Sequence, residues 1–243
     1  MGYLLIIGAT SEIAIETAKL YAKNGFDLYL TARNISKLRG LQNTIQAEYK
    51  IQVRLRSLDL NLFDSHKKFF NSLNPKPVGV ILAAGYMDDQ MRCEIDFKKT
   101  LQTLNTNYVG AVSILNIISN HYEESKSGFI VGISSVAGDR GRKNNYIYGS
   151  SKAGLSCYLS GIRNRLQKSN IAVLTVKPGF VYTKMTAHLS LPKKLSSNAK
   201  SVAKDIFNAQ QSGRNIIYTK SMWYLIMFII KHIPESIFKK LNL

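Results

Sequence analysis

The sequence predicts an α/β fold in which a parallel sheet carries helices on both faces, and two observations support this prediction. Short apolar runs of strand length alternate with helix-length segments along most of the 243 residues. Strands separated by helices imply β-α-β units, which place the strands side by side and parallel in one sheet. Because such crossovers are right-handed, we expect a doubly wound sheet of the Rossmann type.

The predicted elements follow one another in a regular order. Strands are predicted at residues 3–7, 27–31, 51–58, 78–83, 128–133 and 171–176, each of which is a short apolar run. A helix around 198–211, a short strand at 215–219 and an apolar C-terminal segment come next. We therefore predict one main domain over residues 1–219 and a hydrophobic helical extension over residues 220–243.

The composition is that of an ordinary globular protein, with 45% hydrophobic and 20% charged residues. A chain of this length buries enough surface to fold without a disulfide or a structural metal. Cys93 and Cys157 stand far apart with no paired cysteine or histidine nearby, so we expect no metal site and a reducing compartment. The first apolar run lacks a basic leader and is too short for a secretory signal, so we expect a cytoplasmic protein.

The charge is unusual, because 33 basic residues face 15 acidic ones and leave a net charge of +18. Residues 140–204 contain thirteen lysines and arginines and no acidic residue. Such a field suits an anionic substrate, an anionic cofactor, a membrane surface or a nucleic acid, although solvated surface lysines are the plainer explanation. No nucleic-acid recognition motif is present, so we do not expect a nucleic-acid partner.

In a doubly wound sheet, ligands bind at the carboxyl ends of the strands, so the residues that follow each strand carry the functional information. Gly8 follows the first strand, and Thr10, Ser11, Glu12 and Ile13 lead into a helix. The free N–H groups and positive dipole at the start of that helix can hold a pyrophosphate. The same residues also fit an ordinary strand-to-helix turn.

Three further strand ends carry weaker signals. Arg33 follows the second strand where no acidic residue stands to bind a ribose, and its guanidinium suits a 2′-phosphate. Asp59 and Leu60 follow the third strand and can contact an adenine. Ala84 and Gly85 follow the fourth, where a glycine lets the backbone approach a ligand.

The fifth strand leads to Ser135, and a helix then begins near Tyr148 and Lys152. A tyrosine and a lysine four residues apart lie on one face of a helix. The ammonium can then stabilise the phenolate and lower the pKa of the tyrosine, as acid–base catalysis needs. This spacing alone also arises by chance in a chain with 13 tyrosines.

Together, the order and spacing of these motifs resemble the short-chain dehydrogenase/reductase family of NAD(P)-dependent oxidoreductases. The resemblance covers residues 3–183 and implies a catalytic domain over residues 1–219. It implies the catalytic set Asn107, Ser135, Tyr148 and Lys152. The cofactor-binding residues expected from the motifs and the resemblance are Gly8, Thr10, Ser11, Glu12, Ile13, Arg33, Asp59, Leu60, Ala84, Gly85, Tyr148, Lys152, Pro178, Gly179, Val181 and Thr183.

The resemblance also implies a role for each catalytic residue. Tyr148 is the general acid that protonates the substrate oxygen, and Ser135 donates a hydrogen bond to that oxygen. Lys152 lowers the pKa of Tyr148 and holds the nicotinamide ribose, and Asn107 anchors a water that relays protons. The expected reaction is the reduction of a carbonyl to an alcohol. Arg33 favours NADPH over NADH.

Glu12 and Ala14 stand where this family usually has glycines. The Glu12 carboxylate repels a nearby pyrophosphate, although it complements the helix dipole if the side chain points to water. A non-catalytic dinucleotide-binding or scaffold protein is therefore the alternative. Ser135, Tyr148 and Lys152 argue against it.

The substrate is predicted from two segments. A lid over residues 184–200, rich in lysine and leucine, follows the Pro-Gly element, and residues 220–243 are apolar with basic flanks. The second segment is too short to span a bilayer and suits a membrane interface, a contact between subunits or a cover over the substrate pocket. We expect an amphiphilic or anionic substrate such as a lipid ketone or lipid-linked keto-sugar, and a homodimer or homotetramer. The location expected is the cytoplasm, either free or at the inner face of a membrane.

Overall fold

The computed structural model describes residues 2–187 and 191–241 of the chain. Its strands are β1 (Tyr3–Ile7), β2 (Asp27–Ala32), β3 (Val53–Ser57), β4 (Gly79–Leu82), β5 (Phe129–Ile133), β6 (Ala172–Pro178), β7 (Phe180–Tyr182), β8 (Ser196–Asn198) and β9 (Ile216–Thr219). Seven of these described strands form one parallel sheet in the order β3-β2-β1-β4-β5-β6-β9, and β7 pairs with β8 in a small parallel sheet.

Helices connect the strands and cover both faces of the main sheet. The α-helices are α1 (Glu12–Lys23), α2 (Arg39–Tyr49), α3 (Ser65–Asn71), α4 (Gln90–Ile95), α5 (Phe97–Leu104), α6 (Gly110–Ser125), α7 (Tyr146–Leu166), α8 (Ala199–Gln211), α9 (Met222–His232) and α10 (Glu235–Phe238). A π-helical turn at Asn105–Val109 joins α5 to α6.

The sheet is buried on both faces, as the continuous apolar runs require. Along β1, Tyr3, Leu5 and Ile7 enter one hydrophobic core, while Leu4 and Ile6 enter the other. This alternation follows from the two-residue period of a strand. The first core is completed by residues of α3, α6 and α7, and the second by residues of α1, α2 and α8.

The predicted Rossmann-type sheet is confirmed. All seven predicted strands are present, and their ends differ from the predicted ones by at most two residues. The helix predicted at 198–211 begins one residue later, after Asn198 caps its N-terminus by accepting a hydrogen bond from the Ser201 N–H at 2.8 Å. The β7–β8 pair was not predicted, because strands of three residues are too short to show a periodic pattern.

The strand order reverses between β1 and β4, which is the place where doubly wound sheets bind their ligands. Gly8 ends β1 with a φ of +83°, a conformation that favours glycine. A Cβ atom on Gly8 would lie 2.5 Å from the Ala84 Cα, so the two strand ends approach each other only because residue 8 has no side chain.

The chain continues past β9 into α9 and α10. Trp223 and Met227 of α9 are buried together with Val136, and Phe180, Leu195 and Tyr218 pack around them. None of the helices in the described residues is both long enough and apolar enough to cross a bilayer.

Candidate active site

One cleft runs along the carboxyl ends of the central strands. It consists of two adjoining cavities of about 290 Å³ and 130 Å³. Both cavities are lined by Ser11, Glu12, Ala83, Ala84, Gly85 and Met185. The larger cavity extends to Arg33 and the smaller one to Tyr148, so the cleft connects the ends of β2 and β5.

The structure brings nearly all of the predicted site residues to this cleft. Those at the larger cavity are Gly8, Thr10, Ser11, Glu12, Arg33, Asp59, Leu60, Ala84 and Gly85. Those at the smaller cavity include Ser11, Glu12, Ile13, Ala84, Gly85, Ser135, Tyr148, Lys152, Pro178, Gly179, Val181 and Thr183. Asn107 lines neither cavity. It lies directly behind the wall of the cleft.

Tyr148, Ser135 and Lys152 form the polar end of the cleft. Burial raises the pKa of Tyr148 to about 12, and the Ser135 hydroxyl opposes part of that rise because it hydrogen-bonds the phenol. The phenol therefore carries its proton at neutral pH. Ser135 is held by its own local bond, in which its Oγ accepts the Ala137 N–H at 3.1 Å.

Lys152 is buried beneath Tyr148. Its ammonium lies 5.7 Å from the centre of the tyrosine ring and donates to the Ile133 carbonyl at 3.0 Å. Burial lowers the pKa of Lys152 to about 8. Burial is the largest cause of both pKa shifts and favours the neutral form of each group, and the expected effect of Lys152 on the pKa of Tyr148 stays a prediction.

Asn107 joins the fourth strand end to α7. Its amide accepts the Tyr86 N–H at 2.7 Å and donates to the Tyr86 carbonyl at 2.7 Å and to the Ser151 hydroxyl at 3.0 Å. The π-helical turn at Asn105–Val109 contains this residue, and such turns are common at functional sites. Asn107 therefore fixes the position of the loop after β4 relative to the helix that carries Tyr148.

The end of β1 shows where a phosphate-binding group can act. Ser11 caps α1, because its Oγ accepts the Ala14 N–H at 3.2 Å. Glu12 occupies the first helical position and is half-buried. Its Oε1 accepts the Lys184 backbone N–H at 2.9 Å. The carboxylate thus lines both cavities and also holds the chain that follows the Pro-Gly element.

Arg33 lies at the far end of the cleft and is exposed. Within the described residues it forms no ion pair with a carboxylate. Asp59 and Leu60 line the same cavity, and the Asp59 side chain accepts the Asn61 N–H at 2.9 Å. The arginine is therefore a cation without an acidic partner beside the second strand.

The residues after β6 form the other wall of the smaller cavity. Gly179 lies under the Trp223 indole, and a Cβ atom there would come within 1.9 Å of the indole nitrogen. Val181 is buried, and Thr183 begins a short helical turn in which its N–H donates to the Thr186 hydroxyl at 3.2 Å. The predicted lid starts here. Its residues 188–190, including Leu189, lie outside the described residues.

The cleft suits a dinucleotide. It passes the N-terminus of α1, where backbone N–H groups and the helix dipole attract phosphates. Gly85 lies at its middle, where a Cβ atom would be in ordinary contact with the Lys152 ammonium, at 3.5 Å. Arg33 at one end and the Tyr148 phenol at the other give it a cationic and a proton-donating terminus.

Several lining residues were not predicted. Met185 contacts both cavities, and Tyr86, Gln102 and Thr106 line the larger one. Met185 belongs to the predicted lid, so its position after the Pro-Gly element was the signal. The other three carry no motif and reach the cleft only through the packing of the loop after β4, of α5 and of the π-helical turn.

Comparison with known proteins agrees with this geometry. A family model described as short chain dehydrogenase matches residues 3–194. An uncharacterized oxidoreductase of Mycobacterium tuberculosis is 30% identical over 241 residues, which cover 98% of this chain and 96% of the relative. A zebrafish (Danio rerio) protein named carbonyl reductase family member 4 is 27% identical over 194 residues, which cover 76% of this chain and 78% of the relative.

The fold is also similar to solved structures. A short-chain dehydrogenase from Sphingobium yanoikuyae, solved in complex with NADPH, superposes with a TM-score of 0.83 at 19% identity. The superposition covers 97% of this chain and 98% of that one. At this identity the comparison shows the fold.

Proposed function

The chain belongs to the short-chain dehydrogenase/reductase family of NAD(P)-dependent oxidoreductases, and from this premise we propose that it reduces a carbonyl group to an alcohol with NADPH. The observation that carries the proposal is the single cleft that joins Arg33 to Tyr148, Ser135 and Lys152. The name of the zebrafish relative, a carbonyl reductase, supports the reaction type.

The residues at the smaller cavity have different roles in the reduction. NADPH, when bound, supplies the hydride that reaches the carbonyl carbon. The Ser135 hydroxyl donates a hydrogen bond to the carbonyl oxygen, where negative charge develops. Tyr148 then gives its phenolic proton to that oxygen. Its burial keeps this proton in place at neutral pH until the alkoxide charge appears.

Lys152 and Asn107 support this step. The Lys152 ammonium attracts the electrons of the Tyr148 phenolate as it forms, and it presents further N–H groups to a ribose hydroxyl. Asn107 holds the loop that carries Tyr86 against α7 through its three hydrogen bonds. Through these bonds it keeps Gly85 and Lys152 facing each other across the cleft.

The preference for NADPH rests on Arg33. A guanidinium without a carboxylate partner can bind a 2′-phosphate through two N–H groups. We expect the protein to bind NADPH more tightly than NADH in parallel fluorescence titrations, and Arg33→Asp to reverse the preference. An unchanged ratio of the two dissociation constants would refute the role of Arg33.

The reaction is tested with Tyr148→Phe, which removes only the hydroxyl. With a ketone panel and NADPH, we expect kcat to fall about 10³-fold, a loss within the range of a general acid. The dissociation constant of NADPH should change little, because the ring remains. Lys37→Ala, on the surface after β2, is the control. Turnover retained by the Tyr148→Phe variant would overturn the assignment.

The substrate and setting belong to the same proposal. The lysines of residues 184–200 and the apolar surface of α9 favour an amphiphilic or anionic carbonyl compound, such as a lipid ketone or lipid-linked keto-sugar. Residues 1–219 act as the catalytic domain, and residues 220–243 as a segment that contacts a membrane or another copy. We propose that the protein is a homodimer or homotetramer, and sedimentation of the purified protein measures this oligomeric state. We propose that it acts in the cytoplasm, either free or at the inner face of the membrane.

A further inference from the structure

We propose that one face of α9, with the lysines around it, binds an anionic lipid membrane and brings the mouth of the substrate cavity against the bilayer. The placement of the cavity mouth at the bilayer rests on the proposed function, because it requires a carbonyl reductase with an amphiphilic substrate. The first half, the binding of the surface to lipid, stands on the geometry and charge of the C-terminal segment.

The apolar face is contiguous and exposed. Five large apolar side chains of α9 are between 44% and 63% exposed, namely Met222, Tyr224, Leu225, Phe228 and Ile229. They recur at the spacing of one helix face, while Trp223 and Met227 point into the protein and are buried. Ile237 and Leu241, which follow Pro234 in the chain, are also exposed. This set is the α9 face.

The charge around the α9 face indicates what kind of partner it binds. Lys220 precedes α9, Lys231 lies in its last turn, and Lys239 and Lys240 follow α10. Residues 206–243 contain one acidic residue, Glu235, and its carboxylate is paired with Arg140 at 2.8 Å. An apolar helix face rimmed by lysines suits the interface of an anionic bilayer, with the side chains in the acyl region and the ammonium groups at the headgroups.

The same charges disfavour a second copy of this chain as the occupant. A twofold contact brings the same patch of each subunit together. It would therefore bring two lysine-rimmed faces together, and the one acidic residue of residues 206–243, Glu235, is already paired with Arg140.

Helix α9 is linked by a hydrogen bond and by packing contacts to residues at the smaller cavity and to the segment that follows them. The indole N–H of Trp223 donates to the Leu195 carbonyl, within the lid, at 3.0 Å, and its ring covers Gly179 of the Pro-Gly element. On the other side, Arg140 donates to the Ile233 carbonyl at 2.7 Å and stacks over the Phe238 ring at 3.6 Å. The lid and the loop after Ser135 are both attached to the C-terminal helices.

A helix is about 10 Å wide, so the α9 face lies roughly one helix diameter from the residues that line the smaller cavity. A bilayer on that face therefore lies beside the lid. An amphiphile can keep its apolar chain in the lipid while its carbonyl group reaches Tyr148 and Ser135. The protein then needs no deep apolar pocket for the chain.

The test is the binding of the full-length protein to vesicles in a sedimentation assay. Vesicles of 70% phosphatidylcholine and 30% phosphatidylserine are compared with vesicles of pure phosphatidylcholine, at 0.1 M and 0.5 M NaCl. We expect binding to the anionic vesicles that weakens at high salt. Leu225→Glu with Ile229→Glu should weaken it at least about tenfold, as should Lys231→Glu with Lys239→Glu and Lys240→Glu.

The matched control is Met91→Glu with Ile95→Glu, which adds the same charges to exposed apolar positions of α4, 73% and 88% exposed. This control should retain vesicle binding. All variants change exposed side chains, and their melting temperatures confirm that they fold. Equal binding of the wild type and the α9 variants, or binding to neutral vesicles alone, would overturn the proposal.

The other outcomes are separated by two further measurements on the same samples. If the α9 variants dissociate an oligomer without changing vesicle binding, the face contacts another copy and the proposal is wrong. NADPH titration tests the proposed function independently, because the α9 face does not line the dinucleotide cleft. Vesicle binding without NADPH binding overturns the reductase, and NADPH binding without vesicle binding overturns the membrane surface.

Discussion

At the scale of single residues, burial decides the protonation of the active-site end of the cleft. Tyr148 and Lys152 are both removed from water, and each is driven toward its neutral form, the phenol and the amine. The tyrosine therefore carries its proton at neutral pH. The lysine, with a pKa of about 8, changes its charge near physiological pH.

The lowered pKa of Lys152 predicts a pH dependence of stability. Between about pH 8 and 10.5 the unfolded lysine is charged and the folded one is neutral, so the unfolded state holds more protons and stability rises with pH. Relative to Lys152→Met, the wild type should gain up to about 3 kcal/mol across this range. Urea unfolding of both proteins at pH 7.5 and 10.5 measures it. A constant difference would contradict the lowered pKa.

Glu12 has two opposing effects, one on phosphate binding and one on the chain around Lys184. Its carboxylate lies where phosphates are expected, and it also binds the Lys184 N–H at 2.9 Å. Glu12→Gln keeps an acceptor for that bond and removes the charge. Glu12→Ala removes both.

We expect both Glu12 variants to bind NADPH more tightly, on the order of tenfold at low salt, because a like charge is removed from the phosphate site. Only Glu12→Ala should speed tryptic cleavage at Lys184, Lys193 or Lys194, because it alone frees the start of the lid. Glu16→Gln, on the same helix but paired with Lys19, is the control. Identical cleavage of the two Glu12 variants would show that the hydrogen bond does not hold the lid.

Among the secondary-structure elements, α9 packs into the protein on one side and is exposed on the other. Trp223 and Met227 fill a cluster with Val136, and Phe180 and Leu195 pack around it. Deleting the C-terminal segment would therefore expose this cluster and disturb the lid. Substitutions on the exposed face test its surface function without that damage.

The packing of α9 gives a stability prediction. Trp223→Ala should lower the free energy of unfolding by about 3–5 kcal/mol, because it empties a buried site and removes the bond to the Leu195 carbonyl. Leu225→Ala, on the exposed face of the same helix, should change it by less than about 0.5 kcal/mol. Chemical denaturation compares the two. A small effect at Trp223 would mean that α9 is only loosely attached.

At the scale of the whole molecule, the net charge of +18 acts on every anionic ligand that approaches. Thirteen of the cations lie in residues 140–204, the part of the chain that supplies Tyr148 and Lys152. A field of one sign attracts a charged cofactor over several ångströms and raises its association rate.

The association rate of NADPH should therefore depend strongly on salt. Between 20 mM and 300 mM NaCl we expect it to fall about tenfold in stopped-flow fluorescence, while the dissociation rate changes much less. An association rate that does not change with salt would place the excess charge away from the path of the cofactor.

The parallel sheet, its seven strands and the cleft residues that follow them can be predicted from the amino-acid sequence. Those features depend on local apolar runs and on the rule that parallel strands end at one edge, so pattern alone reveals them. The hydrogen bond of Glu12 to the Lys184 N–H, the burial of Tyr148 and Lys152, and the bond of Trp223 to the Leu195 carbonyl are seen in the structure alone. These contacts link residues that are far apart in the chain. The desolvation of a group depends on the atoms that surround it in space, and the spacing of residues along a sequence does not reveal those surroundings.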